Sequence, residues 1–257
     1  MKIAKTCIST LFLVIAILIF SSCKTEKNQH ITIATAANMQ FAMNSLVQTF
    51  TKQTGIQCQL IIGSSGKLTA QIKEGAPYDL FVAANLKYPE EIQHSNLAVY
   101  PPKVYAYGTL VLWSMNDSIQ PSINRLMHPK IHHIALANPK TAPYGVAAIE
   151  TLQNYDIYDT ILNKLVYGES IAQTNQFITS KSAEIGFTSK SVVLSAKMKG
   201  KGNWSEIDPA IYSPIKQGVV LINQKSLHPN AEKFYEFLFS KEAKKILEDF
   251  GYLVSQP

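Results

Sequence analysis

Small polar residues stand at the point where a strand-like segment gives way to a helix-like one. The stretch "GSSGKL", residues 63–68, follows the β-forming run "CQLII" and precedes the helical pattern "LTAQIKEG". The first N–H groups of a helix have no partner within the helix, and glycine allows another group to come close to the backbone. Because helix N-termini attract negative charge, we predict an anion site that includes Ser64 and Ser65.

Three other helix openings have the same character. Asn38 follows a strand-like run and is predicted to cap the first helix, with Ala37 beside it. Tyr144 lies in "APYG", where Pro143 suits the opening turn of a helix, and Ile171 ends the segment "ESI". Taken singly, each opening has an ordinary explanation, since a capping residue stabilises its helix by about 1 kcal/mol. A shared function requires a fold that brings them together.

Strand-like and helix-like segments alternate along the chain with short loops. The first series reads as a strand "ITIATAAN", a helix "MQFAMNSLVQTF", a second strand, a helix that ends near Gly75 and a third strand "YDLFVAAN". A similar series begins after Pro101 and Pro102. This alternation predicts an α/β fold with mostly parallel sheets flanked by helices. Ligands of such folds lie beyond the carboxyl ends of the strands, where all four helix openings are expected.

The length of 257 residues and the two series of elements predict two lobes. Strands near residues 104–107 and 212–218 are candidates for the two crossings between them. We therefore predict that lobe 1 contains residues 30–104 plus 215–257 and that lobe 2 contains residues 105–214. The ligand is expected in the cleft between the lobes.

The N-terminus has the features of an export signal. Lys2 and Lys5 precede the apolar run of residues 11–20, which is short for a membrane-spanning helix. Two serines then precede Cys23. This ending resembles the lipobox of bacterial lipoproteins, in which the cysteine is acylated.

We predict a lipoprotein-type signal over residues 1–23 that ends at the acylated Cys23, followed by a tether over residues 24–29. A plain secretory signal and an uncleaved membrane anchor are the alternatives. Of the three cysteines, Cys7 leaves with the signal and Cys23 is acylated, so only Cys58 remains free. A disulfide framework is therefore not expected.

Charge and motifs exclude several other functions. Two of the lysines behind the formal net charge of +6 lie in the signal, which leaves +4 for the exported chain. The lysines are scattered and no basic stripe is interleaved with aromatics, so we predict no nucleic-acid binding. "GSSGK" lacks the spacing of a Walker motif and of a nucleophile elbow. His132 and His133 are adjacent on a predicted strand and so point to opposite faces, which argues against a metal site with His128.

Several segments resemble the periplasmic molybdate-binding proteins of ABC importers, the ModA type, which have the type II periplasmic-binding-protein fold. They are "TIATAAN", "GSSGKLTAQIKEGAPYDLFVAAN", "ALANPKTAPYGVAAIETL", "YGESIAQTNQFITSKSAEIGFTS" and "FYEFLFSKEAKKILEDFGY". Together they cover most of the mature chain in the family's order. The stretch "GAPYDLF", residues 75–81, is particularly specific.

The resemblance implies the substrate-binding component of an ABC importer, not an enzyme, with molybdate or tungstate as its ligand and no cofactor. It implies a permease partner, an exported chain on the periplasmic or cell-surface side, and membrane association through the lipid anchor only. We expect a monomer. The implied ligand-binding residues are Asn38, Ser65, Tyr144 and Ile171, with Ala37 and Ser64 as less direct neighbours.

The resemblance also implies which groups of these residues bind. Asn38 is expected to use its side chain and its N–H, Ser65 its hydroxyl and its N–H, and Ile171 its N–H. Some family members place a tyrosine ligand where this chain has Ser189. We therefore expect Tyr144 to contribute its phenol in addition to its N–H.

Neutral donors suit a fully deprotonated dianion. Such an ion is costly to bury, but converging N–H and O–H groups and the positive ends of helices can stabilise it without a lysine. Phosphate keeps a proton that requires an acceptor, so a site without an inward carboxylate disfavours it. Glu169 and Asp79 are near enough in sequence to supply one, and we interpret both as structural.

Two other classes of function stay open at this point. The chain could bind another oxyanion such as sulfate, or a ferric ion. A serine hydrolase that uses Ser65 is a weaker alternative, because no histidine stands in a recognisable catalytic context.

Overall fold

A computed structural model describes residues 30–223 and 228–254. The predicted signal over residues 1–23, with Cys23, and the predicted tether over residues 24–29 lie outside the described residues. Within the described ranges, no helix has both the length and the apolar character needed to cross a membrane.

The chain runs through one series of elements, then a second, and then returns. The first series is β1 (His30–Ala36), α1 (Gln40–Thr54), β2 (Gln57–Gly63), α2 (Ser65–Lys73), β3 (Leu80–Ala83), α3 (Lys87–His94) and β4 (Lys103–Gly108). The second is β5 (Leu110–Ser114), α4 (Ile123–Leu126), β6 (Ile134–Ala137), α5 (Pro143–Asn154), α6 (Tyr158–Ile161), β7 (Leu165–Gly168), α7 (Ile171–Thr179), β8 (Ile185–Ser189), α8 (Lys190–Val193) and β9 (Asn203–Glu206). The return comprises β10 (Ile215–Leu221), α9 (Ala231–Phe237) and α10 (Lys241–Asp249). Short 3-10 turns lie at Ala37–Met39, Leu162–Lys164 and Pro209–Ile211.

The strands form two five-stranded sheets, one in each lobe, with the orders β2-β1-β3-β10-β4 and β7-β6-β8-β5-β9. The predicted two-lobed α/β fold is therefore confirmed. Each sheet has two parallel and two antiparallel pairings, so the sheets are mixed rather than mostly parallel. The reason is that β5 and β10, which begin where the chain enters each lobe, run against the parallel strands beside them.

The lobes are joined at two crossings. Thr109 separates β4 in the first sheet from β5 in the second, and β10 begins the return at Ile215. The predicted boundary between residues 104 and 105 falls inside β4. Residues 105–108 stay with the first sheet because β4 pairs with β10.

Helices cover the sheets and give each lobe its own core. In the first lobe, Phe50 of α1 packs edge to face on Phe234 of α9, with ring centroids 5.0 Å apart. In the second lobe, Trp113 and Phe187 are almost fully buried within a continuous apolar cluster. Burial of such side chains stabilises each lobe by about 1.5–3 kcal/mol per large residue. The loops at the strand ends therefore rest on rigid layers.

Parallel pairing places the helix openings side by side. The ladder of β1 with β2 ends at the pair Ala36 and Gly63, and the ladder of β6 with β7 ends at Ala137 and Gly168. A helical turn begins within a few residues of each strand end. Each lobe thus presents two adjacent helix N-termini at one edge of its sheet.

Gly145 allows the first turn of α5 to lie against the end of β6. A Cβ atom at Gly145 would stand 2.1 Å from the carbonyl oxygen of Ala137, a separation that the backbone must relieve by moving. We expect Gly145→Ala to lower the free energy of unfolding by about 1–3 kcal/mol, because the turn must shift away from the strand. Urea unfolding measures this loss.

The neighbouring substitution Val146→Ala is the matched control, because the Val146 side chain is 40% exposed. Its free energy of unfolding should stay within about 0.5 kcal/mol of the wild-type value. Equal stability of Gly145→Ala and the wild type would contradict the close packing of α5 on β6.

Candidate functional site

A small cavity lies between the lobes at the carboxyl ends of β1, β2, β6 and β7. Its volume is about 10 Å³, close to the space that one water occupies, so the cavity suits a compact ligand better than a sugar, an amino acid or a peptide. No lining residue carries a formal charge. The lining residues are Ala36, Ala37, Asn38, Ser64, Ser65 and Ala84 from the first lobe and Ala142, Pro143, Tyr144 and Ile171 from the second.

All six predicted binding residues line this cavity. They come from the four helix openings, two in each lobe, and each is at most 4% exposed: Asn38, Ser65, Tyr144, Ile171, Ala37 and Ser64. The structure therefore brings together positions that lie up to 134 residues apart in the sequence. Their role as ion ligands stays a prediction.

Four backbone N–H groups around the cavity have no acceptor among the described residues. They belong to the first turns of helical segments, where the helix itself supplies no partner. Unpaired N–H groups at helix N-termini form a binding site for an anion. The four groups are those of Asn38, Ser65, Tyr144 and Ile171.

The Ser65 hydroxyl adds a fifth donor. Its Oγ accepts a hydrogen bond from the Ala84 N–H at 3.0 Å. That bond uses an oxygen lone pair and leaves the hydroxyl proton available. Ser65 can therefore offer both its N–H and its O–H to an acceptor in the cavity.

Ser64 has a different role from Ser65. Its Oγ accepts from the Lys67 N–H and so caps α2, and it donates to Oε1 of Glu169 in the second lobe at 3.2 Å. Its single hydroxyl proton is thereby used. In this arrangement Ser64 lines the cavity and joins the lobes, but it has no hydroxyl proton left for an ion.

The two carboxylates near the site have structural partners. Glu169 accepts from Ser64, and its Oε1 lies 4.0 Å from Nζ of Lys67. Asp79 accepts from the Thr32 N–H at 2.7 Å. Neither carboxylate belongs to a residue that lines the cavity.

Further bonds between the lobes close the structure around the cavity. The Gly66 N–H donates to the Thr141 carbonyl at 2.9 Å. The Tyr88 hydroxyl donates to the Lys140 carbonyl at 3.2 Å. Together with the bond from Ser64, these contacts make this the closed form of the two lobes.

Asn38 does not cap α1, so the predicted cap is wrong. Asn38 lies within the turn Ala37–Met39, and its side chain makes no capping bond. Its Nδ2 instead donates to Oε1 of Gln217 at 2.8 Å and to the hydroxyl of Tyr252 at 3.0 Å, which turns the amide toward these buried residues. Both side-chain N–H bonds are used, which leaves the backbone N–H as the donor of Asn38 toward the cavity.

The Tyr144 hydroxyl is buried without a hydrogen-bond partner among the described residues and lies beside Gly108. A Cβ atom on Gly108 would stand 2.1 Å from the Tyr144 hydroxyl, and Ser189 and Tyr252 are its polar neighbours. None of these three residues lines the cavity. Burial raises the pKa of the Tyr144 phenol well above its usual value, so the phenol stays neutral. The expected phenol contact stays a prediction, and the Tyr144 N–H is a donor that the start of α5 places at the cavity.

Three buried polar residues beneath the cavity were missed by the sequence analysis: Gln217, Tyr252 and Ser191. Gln217 directly precedes the apolar run "GVVLI", and a polar side chain beside such a run is a signal that could have found it. Tyr252 and Ser191 carry no comparable signal. Tertiary packing alone brings them to Asn38.

The metal and hydrolase alternatives find no matching geometry. Within residues 30–223 and 228–254, no group of three or more His, Cys, Asp or Glu could hold a metal ion. The N–H groups of His132 and His133 donate to the Glu184 carboxylate, which explains that cluster as a local structural contact. No histidine lines the cavity beside Ser65.

We expect Glu169→Ala to weaken ligand binding about two- to five-fold, because it removes the acceptor that Ser64 uses only when the lobes are closed. The effect is modest because the Glu169 side chain is 49% exposed and solvent screens its charge. Isothermal titration calorimetry measures the affinity.

The control for this variant is Glu91→Ala. Glu91 pairs with Lys73 at 3.0 Å with similar exposure, but both residues lie in the first lobe. Its affinity should match that of the wild type. An equal loss in both variants would show that general surface charge, and not closure, controls binding.

Comparison with known proteins agrees with this geometry. The family model of bacterial extracellular solute-binding proteins matches residues 31–253. The molybdate-binding protein ModA of Rhodobacter capsulatus is 34% identical over 221 residues, 86% of each chain. A Bacillus subtilis relative, YvgL, named as an ABC transporter substrate-binding lipoprotein, is 28% identical over 234 residues, 90% of this chain and 89% of its own.

A solved structure also shows the similarity to molybdate-binding proteins. The periplasmic molybdate-binding protein of Azotobacter vinelandii superposes with a TM-score of 0.84 at 31% identity, covering 88% of this chain and all of that one. The solute-binding family has no catalytic function, so the hydrolase alternative is wrong. By fold and by sequence, this chain belongs to the bacterial extracellular solute-binding proteins of the ModA type.

Proposed function

We propose that this protein captures one molybdate or tungstate ion in the cleft between its lobes and delivers it to the permease of an ABC importer. The observation that carries the proposal is the set of four unpaired N–H groups that surround an uncharged cavity between the lobes. The molybdate-binding relatives support the choice of oxyanion.

The proposed ligands are all neutral donors. They are the N–H groups of Asn38, Ser65, Tyr144 and Ile171 and the hydroxyl of Ser65, with Ala37 and Ser64 as lining neighbours. Hydrogen bonds to an ion are shorter and stronger than those between neutral groups. The positive ends of the helices stabilise the ion further. The free-energy cost of ordering the donors is low, because the fold already orients them.

Donor chemistry also supports selection against phosphate. Molybdate and tungstate are fully deprotonated near neutral pH and accept hydrogen bonds at every oxygen. Hydrogen phosphate carries a proton that needs an acceptor, and no carboxylate lines this cavity. An unpaired O–H group buried here would cost about 1–3 kcal/mol.

Ion binding and closure are linked in this proposal. Asn38 and Ser65 belong to the first lobe, and Tyr144 and Ile171 belong to the second. An ion that accepts from all of them stabilises the closed form through contacts that an open form lacks. The permease can then distinguish the loaded closed form from the empty one.

Membership of an extracellular solute-binding family places the chain on the exported side of the membrane, with a membrane permease as its partner. We further propose that Cys23 is lipidated and that the chain is a monomer held at the membrane by this lipid. The serines before Cys23, the preceding apolar run and the lipoprotein name of the Bacillus relative support the anchor.

Mass spectrometry of the mature N-terminus tests the lipid anchor. We expect a chain that begins at Cys23 and carries a diacylglycerol group, and a membrane fraction that retains the protein. The control Cys23→Ser should remove the lipid and release the chain. A mature wild-type chain without lipid would contradict the anchor and leave ion binding unaffected.

A titration of the exported chain with molybdate, tungstate, sulfate, phosphate and ferric citrate tests the ligand. A ligand at 100 times its dissociation constant should stabilise the folded protein by about 2.7 kcal/mol, which thermal unfolding detects. We expect this shift with molybdate or tungstate. A shift with phosphate or ferric citrate and none with molybdate would overturn the proposal.

Within this titration, Ser65→Ala tests the proposed hydroxyl ligand. We expect the dissociation constant for molybdate to rise about ten-fold or more, because a hydrogen bond to an ion is worth about 1.5–3 kcal/mol. The empty protein also loses stability, since the Ala84 N–H loses its acceptor.

The matched control is Thr69→Val, which removes another buried hydroxyl of α2. The Thr69 hydroxyl donates only to the Ser65 carbonyl one turn earlier. This variant should lose stability while its affinity for molybdate is unchanged. An unchanged affinity in Ser65→Ala would mean that Ser65 acts only as a structural acceptor.

A further inference from the structure

A fully buried amide lies beneath the cavity without lining it. Gln217 is 0% exposed and belongs to β10, two residues after this strand begins the return crossing. The register between β10 and β4 shifts between Gln217 and Gly218, and such irregularities re-aim side chains near functional sites. A Cβ atom at Gly218 would stand 2.8 Å from the Asn85 carbonyl oxygen, so glycine allows the close approach of this segment.

The orientation of the Gln217 amide is set by two backbone carbonyls. Its Nε2 donates to the Ala84 carbonyl at 3.2 Å and to the Ile215 carbonyl at 3.1 Å. A reversed amide would place Oε1 against both carbonyl oxygens, which is unfavourable. Oε1 must therefore face Asn38, from whose Nδ2 it accepts at 2.8 Å.

Asn38 is consequently held on several sides. Its second Nδ2 hydrogen is taken by the Tyr252 hydroxyl at 3.0 Å. Its carbonyl accepts from the Ser191 hydroxyl at 2.7 Å and lies 3.0 Å from the Tyr252 hydroxyl. Ser191 belongs to the second lobe, whereas Asn38 and Gln217 belong to the first. The bond from Ser191 therefore holds the Asn38 carbonyl, in the peptide that follows the Asn38 N–H, only in the closed form.

The same amide also reaches the other first-lobe donor. Ala84, whose carbonyl accepts from Gln217, donates its own N–H to Oγ of Ser65. This bond orients the Ser65 hydroxyl. One buried side chain thus connects the two proposed donors of the first lobe, Asn38 directly and Ser65 through Ala84.

We propose that Gln217 is a positioning residue of the ion site, which orients Asn38 and, through Ala84, Ser65, so that its loss weakens oxyanion binding although it touches no ion. This inference rests on the proposed function. It differs from a purely structural role, in which loss of Gln217 would lower the stability of the empty protein and leave the affinity unchanged.

The test compares molybdate binding by the wild type and by Gln217→Met, with calorimetry for affinity and urea unfolding for the stability of the ion-free protein. Methionine keeps the length of the side chain and removes its hydrogen bonds. We expect the dissociation constant to rise about ten-fold or more, because the Asn38 amide and the Ala84 carbonyl lose their common partner. The control Thr151→Val removes a buried hydroxyl that bonds only within α5, and it should change stability alone.

Gln217→Glu gives a second readout, the pH dependence of the affinity. An ionised carboxylate cannot donate to the Ala84 and Ile215 carbonyls, whereas the protonated acid can donate to one of them and still accept from Asn38. Burial raises the pKa of a carboxyl group. We therefore expect the affinity of this variant to improve as the pH falls from about 8 to 6, while the wild-type affinity stays constant.

The outcomes separate the inference from the proposed function. A wild type that binds no oxyanion refutes the proposed function. A wild type that binds molybdate, with Gln217→Met within two-fold of it, refutes the positioning role. If Gln217→Met does not fold, Gln217→Glu replaces it at the same position. An affinity of Gln217→Glu that equals the wild-type affinity at both pH 8 and pH 6 would then overturn the inference.

Discussion

A buried N–H group without an acceptor costs about 1–3 kcal/mol, and the described part of this protein gathers four such groups around one cavity. Elsewhere in a fold, such groups would be paired by backbone or side chains. Here the parallel ladders of β1 with β2 and of β6 with β7 end in register, so two helix N-termini stand side by side in each lobe. Closure then brings both pairs to one point. An anion that supplies the missing acceptors relieves this cost, and only the closed form allows one ion to do so.

The site is organised in layers that keep charge away from its centre. Around the cavity are small neutral residues and helix starts. Farther out, Glu169 and Lys67 lie on the exposed side, where solvent screens them and Ser64 links the carboxylate to the first lobe. Beneath the cavity, the Asn38 amide donates to the Gln217 amide. A charged side chain beside the cavity would make ion binding depend on the protonation state of that side chain, or the side chain would need a counter-ion in the empty protein. Dipoles that are already oriented stabilise a dianion without that consequence.

Support for the site comes from the segments that connect the lobes. Gln217 lies close to the return crossing at Ile215, and the Tyr144 phenol packs on Gly108, next to the other crossing at Thr109. The groups beneath the cavity therefore lie in or beside the two crossings between the lobes, which form the hinge. Any change of the angle between the lobes must disturb the bond from Ser191 to the Asn38 carbonyl. The positions of the donors therefore depend on the angle between the lobes.

The sequence by itself determined the alternation of strands and helices, the two lobes and the helix openings at Asn38, Ser65, Tyr144 and Ile171, because strand and helix periodicity and capping residues are local signals. It could not determine which atoms of those residues face the cavity. Asn38 was expected to cap a helix and Tyr144 to offer its phenol, but Gln217 and its buried neighbours direct the first amide inward, and the second ring packs on the hinge. The partners of the Asn38 amide lie more than 100 residues away in the chain, and the Tyr144 hydroxyl packs on a glycine that belongs to the other sheet. Only tertiary packing brings those partners within hydrogen-bond distance, so only the folded structure could decide these orientations.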